Sequence, residues 1–171
     1  STLVVFRRAT WPQDYERVCD VRRPTAFAGA EQGATGFLGK KVQLDDDEAL
    51  RRRVESRLGS AIRDNATVLL AVDGDAEGEP VVGTVDCVPL AAGRGRRAFD
   101  SPLPPRALVR NLWVSPDRRR QGVGGSLMRE AEEWARNTAL DALVLDVAAT
   151  NEGALALYLG LGFVEVDAAP P

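Results

Sequence analysis

The run Arg119-Arg120-Gln121-Gly122-Val123-Gly124-Gly125 carries the most chemistry in this chain. It follows a strand-like segment ending at Val114 and opens an amphipathic helical pattern. Backbone N–H groups laid bare by glycine would therefore point out from the positive end of a helix, an arrangement suited to an anion. A phosphate seated there gains charge-assisted hydrogen bonds and a dipole contribution of about 0.3–1 kcal/mol at an exposed site. Arg118, Arg119 and Arg120 add positive charge beside it. Two nucleotide patterns fail at this loop. A P-loop requires Gly-Lys-Ser/Thr, but Gly124 is followed by Gly125-Ser126; a dinucleotide fingerprint requires a third small residue where Leu127 stands. The plain alternative is a glycine-rich strand-to-helix turn beside solvated arginines.

Two other side chains could move a proton. Asp146 is an isolated carboxylate in Leu143-Val144-Leu145-Asp146-Val147. Burying such a group is costly unless it is paired, solvated or functional. The competing reading is a structural hydrogen-bond acceptor at a strand end. Tyr158 offers a phenol, a weak donor at neutral pH, from a helical segment; the competing reading has it packing with Leu155 and Leu161. Asn111 is polar within a strand but cannot act as a base.

The elements that must hold these residues follow from periodicity. Leu3 to Phe6 form a short β-branched strand, and Pro12 to about Arg23 a helix with Tyr15, Val18, Cys19 and Arg22 at helical spacing. Pro24 to Lys41 is glycine-rich and irregular. Asp45-Asp46-Asp47-Glu48 precedes Leu50, Val54, Leu58 and Ile62, which predicts an amphipathic helix with acids complementing its dipole. Val68–Val72 and Pro80–Val85 predict a hairpin across Asp73-Gly74-Asp75. Ala91 to Pro105 is a Gly-, Arg- and Pro-rich excursion carrying Arg94, Arg96, Arg97 and Phe99, read as a solvated loop. A strand over Ala107–Val114, a helix to about Asn137 with Val123, Leu127, Ala131 and Trp134 buried, and a buried strand over Ala142–Val147 come next. A short helix over Asn151–Leu161 and a strand over Phe163–Val166 complete the order. Strands alternating with helices at this spacing predict α/β packing with a parallel crossover.

Composition narrows the chemistry. The 171 residues set a prior for one domain, 1–171. A net charge of -3 disfavours a duplex-DNA binder, and the absence of His removes His triads and most zinc sites. Cys19 and Cys87 form no Cys-x-x-Cys pair, which fits a reduced intracellular compartment. No apolar run approaches the length of a membrane span. A soluble protein is expected, cytoplasmic or, where a transit peptide preceded Ser1, in an organelle such as a plastid.

Three pieces in order carry a family likeness: Leu112-Trp113-Val114-Ser115-Pro116, Arg119 to Gly124, and Asn151 to Phe163 with Ala154, Leu157, Tyr158, Gly162 and Phe163 in register. Together they resemble the GNAT superfamily of acetyl-CoA-dependent N-acetyltransferases, most closely its ribosomal-protein and N-terminal acetyltransferase branch, with a motif core over 107–166. The resemblance implies a mixed central sheet, flanked by helices, whose two central strands splay apart around acetyl-CoA. It gives Leu112, Trp113 and Val114 backbone contacts to the acetyl and pantetheine parts. Arg119, Arg120, Gln121, Gly122, Val123, Gly124 and Gly125 would hold the pyrophosphate, and Asn151, Glu152 and Gly153 the cofactor arm. Tyr158 would lie near the thioester sulfur and protonate the departing thiolate. Asp146, five residues before Asn151, matches an acid of the ribosomal-protein branch and becomes the candidate base, through a water. The histone-acetylating branch carries its acid where this chain has Leu108. The implied reaction is direct acetyl transfer to a primary amine, protein N-terminal or lysine. A small-molecule amine acetyltransferase and a non-catalytic acyl-CoA-binding regulatory module are the alternatives. No nucleic-acid or membrane partner is expected, and the chain is expected to be a monomer or homodimer.

Overall fold

The computed structural model describes residues 3–22, 47–90 and 104–166. The expectations for residues 23–46 and 91–103, including Arg94, Arg96, Arg97 and Phe99, lie outside these. Five strands form one sheet in the order β1-β2-β3-β4-β5: β1 (Val4–Arg8), β2 (Thr67–Asp73), β3 (Val81–Leu90), β4 (Arg106–Val114) and β5 (Ala142–Val144). The first four run antiparallel to their neighbours, whereas β4 and β5 are parallel. Helical residues 15–22 belong to α1; α2 (Asp47–Arg63), α3 (Val123–Asn137) and α4 (Glu152–Gly160) follow. The parallel pair is joined through α3, the crossover that parallel strands require.

Strand alternation divides the core between two faces. Val68, Leu70, Val72 and Val81 pack with Val18, Cys19, Val54 and Leu58 from α1 and α2. Leu69, Ala71, Val85, Cys87, Ala107 and Val109 pack on the other face with Val123, Leu127, Met128, Ala131 and Trp134 of α3. The stripe predicted for α3 is buried in full. The α2 stripe drifts instead, because steps of four overshoot a 3.6-residue turn: Val54 and Leu58 are buried, Ala61 takes the third core place, and Ile62 is 37% exposed. α3 lies close on β3 at Gly83, where a Cβ would stand 2.9 Å from Leu127 Cδ1 and 3.2 Å from the Trp113 carbonyl oxygen. Only glycine lets the helix settle there.

Two expectations near the C-terminus are corrected. The strand foreseen over Ala142–Val147 ends at Val144, because β4 offers pairing partners only to Ala142, Leu143 and Val144. Phe163–Val166 is extended but unpaired among the described residues, with Val164 80% exposed. An apolar, β-branched run becomes a strand only where a neighbour accepts its ladder.

Candidate active site

β4 and β5 share a ladder only from Arg106↔Ala142 to Leu108↔Val144. Beyond Leu108, β4 stays on β3, while the chain after Val144 leaves the sheet. The sheet is therefore no longer continuous at the C-terminal ends of two parallel strands, the place where α/β folds admit ligands. The β4 wall is shaped by a bulge: Thr84 faces Trp113 but Asp86 faces Arg110, so β4 holds an extra residue in that interval. Asn111 sits there with φ 55°. Leu112, Trp113 and Val114 line the stretch beyond the bulge, each half-buried.

The loop after β4 is braced before it reaches its glycines. Ser115 N–H donates to the Val82 carbonyl at 2.9 Å, extending the β3–β4 ladder. The Ser115 hydroxyl bonds Asp117 and holds its carboxyl below the ordinary carboxylate value. Arg118 forms an ion pair with the buried Asp73 at the end of β2. Gln121 Nε2 donates to the Asp117 carbonyl at 2.8 Å, and Arg119 Nε to the Val114 carbonyl at 3.1 Å. The expectation that three arginines charge the loop is thereby divided. Arg118 is committed to Asp73, while Arg119 and Arg120 are exposed.

Arg120 (φ 61°) and Gly122 (φ 83°) both adopt left-handed backbone, which turns successive amides to a common side as in an anion nest. Gly122 is the N-cap of α3, and no side chain caps the helix. Its first turn, from Val123 through Gly124 and Gly125, contains no acid, so the helix dipole is left for a ligand's negative charge. Val123 is buried and anchors this turn in the core.

The opposite wall comes from α4 and the segment before it. Asn151 is the N-cap of α4: its Oδ1 accepts from Ala154 N–H at 3.2 Å, which leaves the carboxamide Nδ2 as the donor. Glu152 and Gly153 are exposed in the first turn. Tyr158 is buried, its ring 5.7 Å from that of Phe163 at 60°. Burial pushes its phenol above the usual tyrosine value. Among the described residues no protein group hydrogen-bonds its hydroxyl, while its ring shares the core cluster with Leu161, the packing that the competing reading expected. Leu157 meets the loop directly: a Cβ on Gly124 would lie 3.4 Å from Leu157 Cδ2 and 3.6 Å from Val114 Cγ2. The three motif pieces therefore converge at one corner. Asp146 stands apart from that description, exposed and two residues beyond the end of β5. The cost-of-burial argument does not apply to it.

That argument applies to another carboxylate. Asp86 is fully buried in β3, and Arg22 from α1 pairs with it at 2.5 Å. Asn111 Nδ2 donates to its other oxygen at 2.7 Å. The signal was present in the sequence, since Asp86 interrupts Val81–Leu90 as sharply as Asp146 interrupts its own run. Neither thiol is a candidate nucleophile: Cys19 and Cys87 are buried, and desolvation raises Cys87 to about 12. Among the described residues no metal-binding cluster occurs, and no helix is long and apolar enough to cross a membrane.

The sequence model of the Acetyltransferase (GNAT) family matches residues 28–163, and the chain belongs to that family. It is similar to an aminoglycoside N(6')-acetyltransferase type 1 of Klebsiella aerogenes, 38% identical over 60 residues, covering 35% of this chain and 40% of the relative. It is 39% identical over 59 residues to the [ribosomal protein bS18]-alanine N-acetyltransferase of Escherichia coli, covering 34% of this chain and 40% of that protein. The chain thus spans well under half the length of these curated relatives. Among solved structures, an acetyl transferase from Pyrococcus furiosus shares the fold at TM-score 0.72 and 18% identity, covering 99% of this chain and 98% of the other. The structure of AAC(6')-Iy with a CoA-based bisubstrate analog does so at TM-score 0.65 and 17% identity, over 98% and 95%.

Proposed function

We propose that this protein transfers an acetyl group from acetyl-CoA directly to a primary amine, and that the acceptor is a protein α-amino or lysine ε-amino group. The observation that carries the reading is the uncapped, acid-free N-terminus of α3 at the mouth of the gap between β4 and β5. A diphosphate needs converging N–H donors and local positive charge. The amides from Gln121 to Gly125, with Arg119 and Arg120, offer both. A pantetheine arm needs a slot with unpaired backbone groups along it. The β4 stretch Leu112–Val114, which has no partner on the β5 side, supplies them. The Nδ2 of Asn151 serves as a donor to the same arm, beside Glu152 and Gly153.

Acetyl-CoA supplies an activated acyl thioester. The protein's own task is to fix its direction, stabilise negative charge on the carbonyl oxygen and return a proton to sulfur. Tyr158 fits the last role because its desolvated phenol keeps its proton through neutral pH and has no competing protein partner. Asp146, exposed to water, would accept the amine's proton through a solvent molecule. Replacing it with Asn should move the acid limb of the pH–rate profile; an unchanged profile removes Asp146 from the mechanism.

The preference for a protein acceptor rests on the Asp146-to-Asn151 spacing and the likeness to the bS18 acetyltransferase. The equally strong likeness to an aminoglycoside acetyltransferase favours a small amine as the second reading. An acceptor array of peptides, lysine-containing proteins and aminoglycosides with acetyl-CoA separates them. Turnover confined to small amines would overturn the preference, and no turnover with any amine despite CoA binding would leave only a regulatory binding module.

A further inference from the structure

The most deeply buried charged cluster among the described residues lies on β3, behind the β4 bulge. Asp86 and Thr84 are 0% exposed and Arg22 8%. Arg22 reaches the pair from α1, donating to Asp86 Oδ1 at 2.5 Å and Oδ2 at 3.3 Å, and to Thr84 Oγ1 at 3.1 and 3.2 Å. Asp86 Oδ2 also accepts from Asn111 Nδ2 at 2.7 Å, and Asn111 holds the left-handed conformation on which the bulge turns.

An ion pair in this position is a poor stabiliser on its own, since desolvating both charges offsets much of their attraction. Its geometry instead specifies one backbone arrangement. A non-glycine residue at φ 55° costs on the order of 1 kcal/mol, and a charge-assisted hydrogen bond of about 1.5–3 kcal/mol exceeds that. Without the tether, the extra residue of β4 could relax toward a regular ladder. Because side chains alternate along a strand, a one-residue slip would turn Leu112, Trp113 and Val114 to the opposite faces and reverse which of their amides point toward β3 and which away from it.

We infer that Asp86, clamped by Arg22 and gripping Asn111, is a positioning residue that locks the β4 bulge and so aims the Leu112–Val114 backbone at the acyl thioester. This inference rests on the acetyl-transfer reading above and adds a mechanical part to it: the diphosphate seat on α3 sets affinity, while the tether sets the direction of the reacting carbonyl. The two should therefore separate in experiment.

Asn111→Gly tests it, since glycine keeps the left-handed backbone and deletes only the tether. The expected result is a fall in kcat of about 10- to 100-fold, the scale of a misplacement near 1 Å. The Kd for CoA by calorimetry should rise by a smaller factor than kcat falls, since the diphosphate seat on α3 is untouched while only the pantetheine contacts along Leu112–Val114 are disturbed. The isotope-edited infrared band of the bound thioester carbonyl should lose at least about half of its binding shift. Asp86→Asn should reproduce the kcat effect if it folds; Asn111→Gly carries the test if loss of the buried carboxylate's charge prevents folding. A wild-type kcat and carbonyl band in Asn111→Gly overturn the inference. So does a lowered melting temperature with kcat per folded molecule unchanged, which is the signature of a merely structural pair. A wild-type protein that does not bind CoA removes the acetyl-transfer reading and this inference with it; a normal wild type with an unaltered variant removes the inference alone.

Discussion

The two walls of the cleft are built by different physics. The β4 wall is the last strand of a four-stranded antiparallel unit, paired along its length with β3 and pinned by the Arg22–Asp86–Asn111 cluster. The β5 wall has three paired residues, then leaves the ladder with Asp146 exposed, and its Leu143, Leu145 and Val147 pack on the apolar cluster that also holds Leu157 and Tyr158 of α4. One wall is held by ladder hydrogen bonds and buried charge, the other by apolar contact with a short helix. On the proposed reading, acyl-CoA would sit where the sheet stops being continuous, with a ladder-held side to orient its reacting group and an apolar-packed side facing it.

Substitutions on each wall should separate these roles. The largest effect is expected at Tyr158. Tyr158→Phe keeps the ring packing against Phe163 but removes the hydroxyl, so kcat should fall by about 10²–10⁴-fold with CoA affinity largely kept. Because burial raises the phenol, the group stays protonated as pH rises through neutrality. Wild-type kcat should therefore hold until at least about pH 10, the ordinary tyrosine value. An alkaline limb nearer neutrality would assign the proton to another group.

Next in size is the loop joining the walls. Gly122→Val forces a β-branched residue to φ 83° and should weaken CoA binding by about tenfold or more, read by calorimetry. Normal affinity would mean that the amides there do not bind the diphosphate.

A smaller effect, on stability more than on affinity, is expected at the brace beneath that loop. Arg118→Met leaves the Asp73 carboxylate buried without its cation and should cost about 1–3 kcal/mol in denaturant unfolding. Arg120→Met, at an exposed position, should cost little stability and should lower CoA affinity. Equal stability losses would contradict the division of the arginines into a brace and a seat.

The smallest effect lies farthest from the cleft. Asp14 is held well below the ordinary carboxylate value, first by its hydrogen bonds from Arg7 and also by the Thr10 N–H. A depressed carboxyl stabilises the fold above its unfolded value, about pH 4, and that contribution is lost as pH falls further. Asp14→Asn should flatten the acid side of the stability profile without changing kcat at neutral pH.

What the sequence made legible follows the same division. Local patterns specified α3 and its buried stripe, the glycine loop, the β2–β3 hairpin and α4, because each depends on residues within a turn or two. The three motif pieces were legible as a set, although their meeting at Gly124 needed the fold. The shortness of β5, the unpaired Phe163–Val166 segment and the exposure of Asp146 were hidden, since pairing is decided by a distant neighbour. Hidden for the same reason were the brace from Arg118 to Asp73, 45 residues apart, and the tether from Asn111 to Asp86, 25 residues apart. An isolated acid in an apolar run signals something, but its partner lies elsewhere in the chain. Asp86 and Asp146 interrupt their runs alike, and only the fold buries the first and exposes the second.

On the proposed reading, the N-terminal amides of α3 seat a diphosphate whose arm runs between β4 and the segment after β5. A crystal structure of the protein with coenzyme A tests it most directly. Diphosphate oxygens are expected within hydrogen-bond distance of amides between Gln121 and Gly125, and the pantetheine alongside Leu112–Val114. Coenzyme A bound at any other surface, with that gap filled by side chains, would contradict it.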